Sequence, residues 1–438
     1  MANQVKVQGA SQSQRQKISE FTRYPHPNLD RIDFEKIKNQ DWDGYISLYR
    51  GGSFPRGLLQ DVLIGLWANG IKPILDYSDD QTIAGPMVQY QFNFDLTDYQ
   101  NIARQTAIIA RTGNICMPPG TGKTITALSI IASTRKTAVI FVHKKELLYQ
   151  WADEIQNRLG VVAGIVGDDK IQLALPITVA MVQTAMKLPQ SLFSDYGMHI
   201  WDECHHASAK TWYPTALKSK AMFRFGLSAT PFREDGHDLK LRAVMGERII
   251  NWGYSQMIED GWLSRPTIHL MNVGVGAIKG DYHKIYNAWV VANPTRNGLI
   301  KTAVESLGGN TYIHVKILDH GRRLQKMIPG SVFISGRDKM EHRKQTIKDF
   351  SAGEIPVLIS TLLGEGVNIP SITNVVLATP YKSLVATQQV VGRALRLTRD
   401  RKCNVVDFID SVKYLHDHYL RRKEWYDSEK AFEVKLWV

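Results

Sequence analysis

Two short stretches hold residue types that could act together on a phosphate chain. The first, MPPGTGKT at residues 117–124, follows an apolar run ending at Cys116 and precedes the helical pattern ITALSIIAS. A glycine-rich turn that opens a helix offers backbone N–H groups and the helix dipole to phosphates. In such a loop Pro119, Gly120, Thr121 and Gly122 form the cradle, Lys123 reaches the β- and γ-phosphates, and Thr124 can bind Mg2+. Met117 stands where the motif begins with glycine, a departure that leaves the cradle intact. The second stretch, WDECHH at residues 201–206, ends another apolar run. Phosphoryl transfer to water needs a metal holder and a group that orients the water, and adjacent acids can divide those tasks. Asp202 would hold Mg2+ through water, and Glu203 would be the base. The rival reading is zinc on Cys204, His205 and His206, but consecutive residues point in different directions and no second ligand pair is in sight.

The bulk of the chain frames these sites. At 438 residues it is too long for one ordinary core and suggests two or three domains. Hydrophobic content of 44% with 22% charged residues is ordinary for a globular protein. The excess of 54 Lys+Arg over 42 Asp+Glu leaves +12, with a pI near 9.4, which favours a polyanionic partner. Three scattered cysteines, Cys116, Cys204 and Cys403, suggest neither a disulfide framework nor a zinc ribbon, and fit a reducing compartment. The polar, basic first 25 residues show no secretory signal, and no apolar run is long enough for a spanning helix. A cytoplasmic protein is expected, in the host's cytoplasm if the chain is viral.

Three regions separate by pattern. Residues 1–92 read as a small α+β module, in which Ile46 and Leu48 alternate with Tyr45, Ser47 and Tyr49, and LLQDVLIGLWANG has helical spacing with a Gly stop. Residues 93–262 alternate short apolar strands (TAVIFVH, ITVAMVQ, MHIWDE, MFRFGLSAT) with amphipathic helices, as in a parallel sheet covered on both faces. Residues 310–438 repeat the pattern with NTYIHVKIL, SVFISG, IPVLIST, NVVLATP and KCNVVDFID. Residues 263–309, which include SRPTIHLMNVGVGAIKGDYHK, read as linker and hinge between two tandem α/β sheets.

With both motifs in hand the chain resembles a superfamily 2 helicase of the DExH type, over roughly residues 93–438. That resemblance implies two RecA-like parallel-sheet domains behind a small α+β N-terminal domain, with ATP and Mg2+ as cofactors. LTDYQ places Tyr99 and Gln100 where the family reads adenine. FVHKKELLYQW resembles the segment that touches the nucleic-acid backbone, and VAMVQTA offers Gln183 and Thr184 to the same strand. In LSATP, Ser228 and Thr230 would connect hydrolysis to DNA movement. STLLGEGVNIP contributes Gly366 to the nucleotide site, with Asn368 where the family often has Asp. QQVVGRALR would turn Gln389, Arg393 and Arg396 to the γ-phosphate, and two guanidiniums suit the arginine-finger role. His205 would report nucleotide state to the DNA-facing motifs. WDGYISLYRGGSFPRGLL, NPTRNGLIKTAVESL and HDHYLRRKEWYDSEKAF look similar to UvsW-type phage recombination helicases, related to the XPB and RecG group.

The expected function is an ATP-dependent DNA helicase or translocase that unwinds or branch-migrates forked and junction DNA in replication, recombination or repair, working as a monomeric motor. An RNA helicase and a nucleotide-gated DNA-binding subunit are the alternatives. Trp42, Tyr45, Tyr49, Arg50 and Arg56 combine rings for unpaired bases with cations for phosphate. The same aromatics could equally be core, with Asp43-Gly44 as a hairpin turn. Arg421, Arg422 and Lys423 divide in the same way between a phosphate contact and a solvated helix face.

Overall fold

A computed structural model describes residues 3–26, 43–78, 80, 82–92, 94–174, 176–204, 212–229, 238–362, 372–396 and 402–437. The chain divides into two compact units, Met1–Met117 with Gly122–Asn251 and Pro118–Thr121 with Trp252–Val438. Among the described residues no helix is long and apolar enough to cross a membrane.

The first unit is built on an eight-stranded sheet. Its order is Arg248–Asn251, Thr112–Cys116, Phe223–Ser228, Met198–Trp201, Ala138–Val142, Ile177–Met181, Gly164–Gly167 and Lys170–Gln172. All neighbours are parallel except the last two, which form a hairpin. Ala138–Val142 and Met198–Trp201 are buried at every position, which is why their sequences are continuously apolar rather than alternating. The register pairs Cys116 with Ser228 and Trp201 with Gly226, so three motif-bearing strands end side by side at one edge of the sheet. In open α/β sheets the carboxyl ends of the strands are where ligands bind.

The N-terminal residues share this unit. Two antiparallel pairs, Gln4–Lys6 with Ser53–Pro55 and Arg23–Pro25 with Tyr45–Ser47, accompany the helices Gln12–Phe21 and Leu59–Ala68. The expected helix over LLQDVLIGLWANG is present, and Gly70 beyond its end takes φ +71. The strand partner of Tyr45–Ser47 lies at 23–25, so Asp43-Gly44 is not a two-residue hairpin turn. Ile18, Phe54, Leu58, Val62 and Leu66 pack with Ala243 of the helix Asp238–Met245. Asn3 Nδ2 donates to the carbonyls of Ala216 at 3.2 Å and Val244 at 2.9 Å. Gly57 lies so close to the same helix that a Cβ would sit 2.1 Å from the Arg242 carbonyl oxygen. The module therefore shares its core with the first sheet unit.

The second unit carries a seven-stranded, wholly parallel sheet ordered Ser331–Ile334, Val357–Ser360, Thr311–His314, Asn374–Leu377, Lys402–Ile409, Arg265–Asn272 and Glu433–Leu436. Here the sequence reading needs correction. The stretch expected as a hinge, SRPTIHLMNVGVGAIKGDYHK, supplies the strand Arg265–Asn272, paired on both sides. Met271, Val273, Ile285, Ile300 and Val304 from residues 263–309 belong to the core of this unit. The inner positions Ile268, Leu270 and Met271 of this strand are all buried.

Candidate nucleotide site

The phosphate loop is shaped by two glycines in the left-handed region, Gly120 at φ +87 and Gly122 at φ +80, the second capping the helix Lys123–Thr134. Thr121 Oγ1 donates to the Pro118 carbonyl at 2.7 Å and Lys123 Nζ to the Met117 carbonyl at 3.1 Å, which folds the loop over its own start. Met117 N–H donates to Ser228 O at 3.0 Å, tying the loop to the strand that carries LSAT. Gln100 is buried, and its side-chain oxygen accepts from the Thr97 backbone in a capping box that opens the helix Asp98–Ala110. Its Nε2 lies against the loop, 2.5 Å from where a Gly122 Cβ would be, and reaches Tyr99 Oη at 3.4 Å. The capping box thus holds one end of the Gln100 amide and aims the other at the phosphate loop.

Asp202 follows the strand Met198–Trp201 and is 7% exposed. Burial raises its carboxyl above the usual range, against the Trp151 indole donor and the charges of Lys123 and His143. Trp151 Nε1 donates to Oδ2 at 2.8 Å, and the Glu203 backbone N–H donates to Oδ1 at 3.0 Å. Glu203 has φ +49, a left-handed conformation that a glutamate adopts only where its surroundings hold it. Cys204 is fully buried, its Sγ 3.8 Å from Asn114 Oδ1. The thiol therefore packs inward as a small buried spacer. Among the described residues no group of three or more His, Cys, Asp or Glu is gathered for a metal ion.

Of the other expected residues in this unit, Ser228 is 1% exposed beside the loop strand. Gln183 and Thr184 lie on the short helix Val182–Ala185, where Gln183 Nε2 donates to the His143 carbonyl at 3.2 Å and so joins two of the expected backbone-facing segments. Arg50 is exposed on the N-terminal module. Tyr45 is 40% exposed, with the Arg23 guanidinium 4.6 Å from its ring centroid, while Tyr49 Oη accepts from Arg15. Arg56, proposed for phosphate, is instead bound bidentately by Asp80 at 3.0 and 2.9 Å. Trp42, His205, His206, Thr230, Gly366 and Asn368 lie outside the described residues.

In the second unit Gln389 and Arg393 lie on the helix Leu384–Ala394, and Arg396 follows it. Arg393 is 5% exposed, its guanidinium carbon 5.9 Å from the centroid of Tyr312. Burial, with the neighbouring Arg393, pushes Arg396 down to about 10. The closing basic run is corrected by the structure: Arg422 is wholly buried, bound by Asp407 at 2.8 and 3.0 Å and by the Tyr381 carbonyl at 3.1 Å. Lys423 pairs with Asp427 one turn on. In the sequence LLYQW reads as a nucleic-acid segment, and nothing there pairs Trp151 with Asp202. Its only local signal is a position on the apolar face of the helix Lys145–Leu159.

Comparisons with known proteins bear on both units. Residues 93–233 match the family described as Type III restriction enzyme, res subunit, and residues 307–398 match the Helicase conserved C-terminal domain. A relative from Haloarcula marismortui named Rad25, a DNA 3'-5' helicase in its description, is 26% identical over 381 residues, 83% of this chain. The chain spans 59% of that relative's length. The ATP-dependent DNA helicase uvsW of Enterobacteria phage T4 is 25% identical over 361 residues, covering 74% of this chain and 72% of the relative. A fragment assigned to the HsdR subunit of a type I restriction enzyme from Vibrio vulnificus YJ016 shares the fold at TM-score 0.60 and 21% identity, over 90% of this chain and 76% of that one.

Proposed function

We propose that this chain, a member of helicase superfamily 2, is a nucleic-acid-stimulated ATPase that works as a DNA helicase or translocase on forked and branched DNA. The observation that carries the reading is a single sheet edge in the first unit. There Gly122 and Lys123 of the phosphate loop, the buried carboxylate of Asp202 and the LSAT strand at Ser228 lie at the ends of adjacent strands. Each member has a distinct task. The loop amides and Lys123 hold the phosphates, Glu203 takes the proton of the attacking water, and Ser228 passes the change in the loop along its strand.

The donor set fits a hard cation: the Thr124 hydroxyl at the first turn of the loop helix is an oxygen ligand of the kind Mg2+ takes, and the Asp202 carboxylate would hold the ion through water. Bound there, Mg2+ would neutralise charge on the phosphates. Gln389, Arg393 and Arg396 are assigned to the transferring phosphoryl group, where fixed guanidiniums stabilise spreading negative charge. Grips on the DNA backbone rather than the bases suit a motor indifferent to sequence, and the +12 charge supports a polyanionic track.

The test is an ATPase and unwinding panel over single strands, duplexes, forks, four-way junctions and RNA, with Lys123→Ala and Glu203→Gln as controls. The reading expects hydrolysis stimulated most by branched DNA and abolished in both variants. Stimulation by structured RNA alone would make the chain an RNA helicase. Hydrolysis indifferent to every nucleic acid would leave a motor reading without support.

A further inference from the structure

Asp202 is held from behind by the last residue of FVHKKELLYQW, a segment whose resemblance implies a different task. Trp151 is 1% exposed in the middle of the helix Lys145–Leu159, and its indole N–H meets Asp202 Oδ2 at 2.8 Å, fifty-one residues away in sequence. The other oxygen, Oδ1, accepts the backbone N–H of Glu203 at 3.0 Å. One lone pair on each carboxylate oxygen is thus engaged by the protein, which fixes the rotation of the carboxylate plane and leaves the remaining lone pairs for a ligand. The second of these bonds starts at a residue in the left-handed region, φ +49, so the position of Asp202 also bears on the backbone of the proposed base.

We infer that Trp151 is a positioning residue of the nucleotide site: its N–H orients the Asp202 carboxylate toward Mg2+ and, through Oδ1, steadies the strained Glu203 backbone. The inference rests on the reading of Asp202 and Glu203 given above. Outer partners of this kind set the orientation of a ligating carboxylate in advance, and losing one typically costs 10–100-fold in metal affinity. The opposite account is that Asp202 serves Trp151, since a buried indole needs an acceptor for its N–H wherever it packs. The two accounts differ in what the hydrogen bond does for the cation, and that can be measured without turnover.

The experiment uses the full chain with Trp151→3-benzothienylalanine introduced site-specifically, which keeps the shape of the indole and replaces N–H by sulfur. Trp151→Phe, which also empties volume, is the second variant, and thermal unfolding checks that each is folded. A fluorescent ATP analogue is titrated with and without Mg2+. The expected result is that the isostere binds the analogue as wild type does without Mg2+, and needs about tenfold more Mg2+ to reach the tight state. An unchanged Mg2+ requirement in a folded isostere overturns the role given to Trp151 while leaving the nucleotide site standing. If Mg2+ does not tighten binding in the wild-type chain, the reading of Asp202 fails, and the inference with it.

Discussion

Arg422, fully buried, and Arg396, half-buried, lie in the same unit, and their surroundings shift them in opposite directions. Burial alone would lower the pKa of either side chain, because it disfavours the charged form. For Arg422 that effect is overcome by Asp407, bidentate at 2.8 and 3.0 Å, and the guanidinium ends above its ordinary range. Arg396 has its burial reinforced by the like charge of Arg393 and falls to about 10. Arg296 is also paired with a buried carboxylate, its Nε 3.1 Å from Asp410 and its guanidinium over Phe408. A buried arginine whose field is already balanced by a carboxylate belongs to the core. Arg396 feels the like charge of Arg393, which an arriving anion would offset.

The comparison predicts opposite phenotypes. Arg396→Ala should lower kcat for ATP hydrolysis by roughly 10^3-fold, with the urea midpoint unchanged or raised because a repulsion is removed. A large loss of stability with normal turnover would place Arg396 with Arg422 instead. Arg422→Met leaves Asp407 buried without its cation and should cost about 3–5 kcal/mol in urea unfolding. The folded fraction should keep its ATPase, and the double variant Arg422→Met with Asp407→Leu should recover most of the loss.

Imidazoles show what burial does to a second kind of cation. His199 in the first unit is lowered to about 4 by desolvation, while His314 and His320 in the second are lowered to about 3, again by desolvation first and then by nearby arginines. Each is neutral when folded and takes up a proton more readily when unfolded. Stability is therefore full above about pH 6.5 and falls as pH drops through the window between the unfolded and folded values. By pH 5 each site should have cost about 2 kcal/mol. Hydrogen exchange at pH 7 and pH 5 should show the larger loss in the second unit. Equal losses would mean that other groups dominate.

The smallest effect separates Arg50 from Arg56. Arg50→Ala should reduce the log–log salt slope of duplex binding by about 0.9, the value of one phosphate contact. Arg56→Ala should leave the slope alone, since Asp80 already occupies its guanidinium.

The phosphate loop, the DECH acids and ten of the fifteen described strands in the two sheets were legible in the sequence, because each is written in contiguous residues: glycines before a helix, or an apolar run bounded by turns. Arg265–Asn272 was not. Its Pro and the glycines after it look like a linker until the partners Lys402–Ile409 and Glu433–Leu436 pair with it from far along the chain. Arg421, Arg422 and Lys423 read as one basic run, yet a helix turns successive residues through about 100°, so neighbours face water and core in turn. The sequence shows the charges and not the face that is buried.

WDECHH marks the difference. By itself the sequence determined that two acids follow a buried strand and share a chain with a phosphate loop, because strand period and loop chemistry are local. Only the tertiary structure decided that Cys204 turns inward against Asn114, that Glu203 is held in a left-handed turn, and that Trp151 grips Asp202. Those facts depend on which strands become neighbours and which helix covers them, a choice made by packing the whole unit at once.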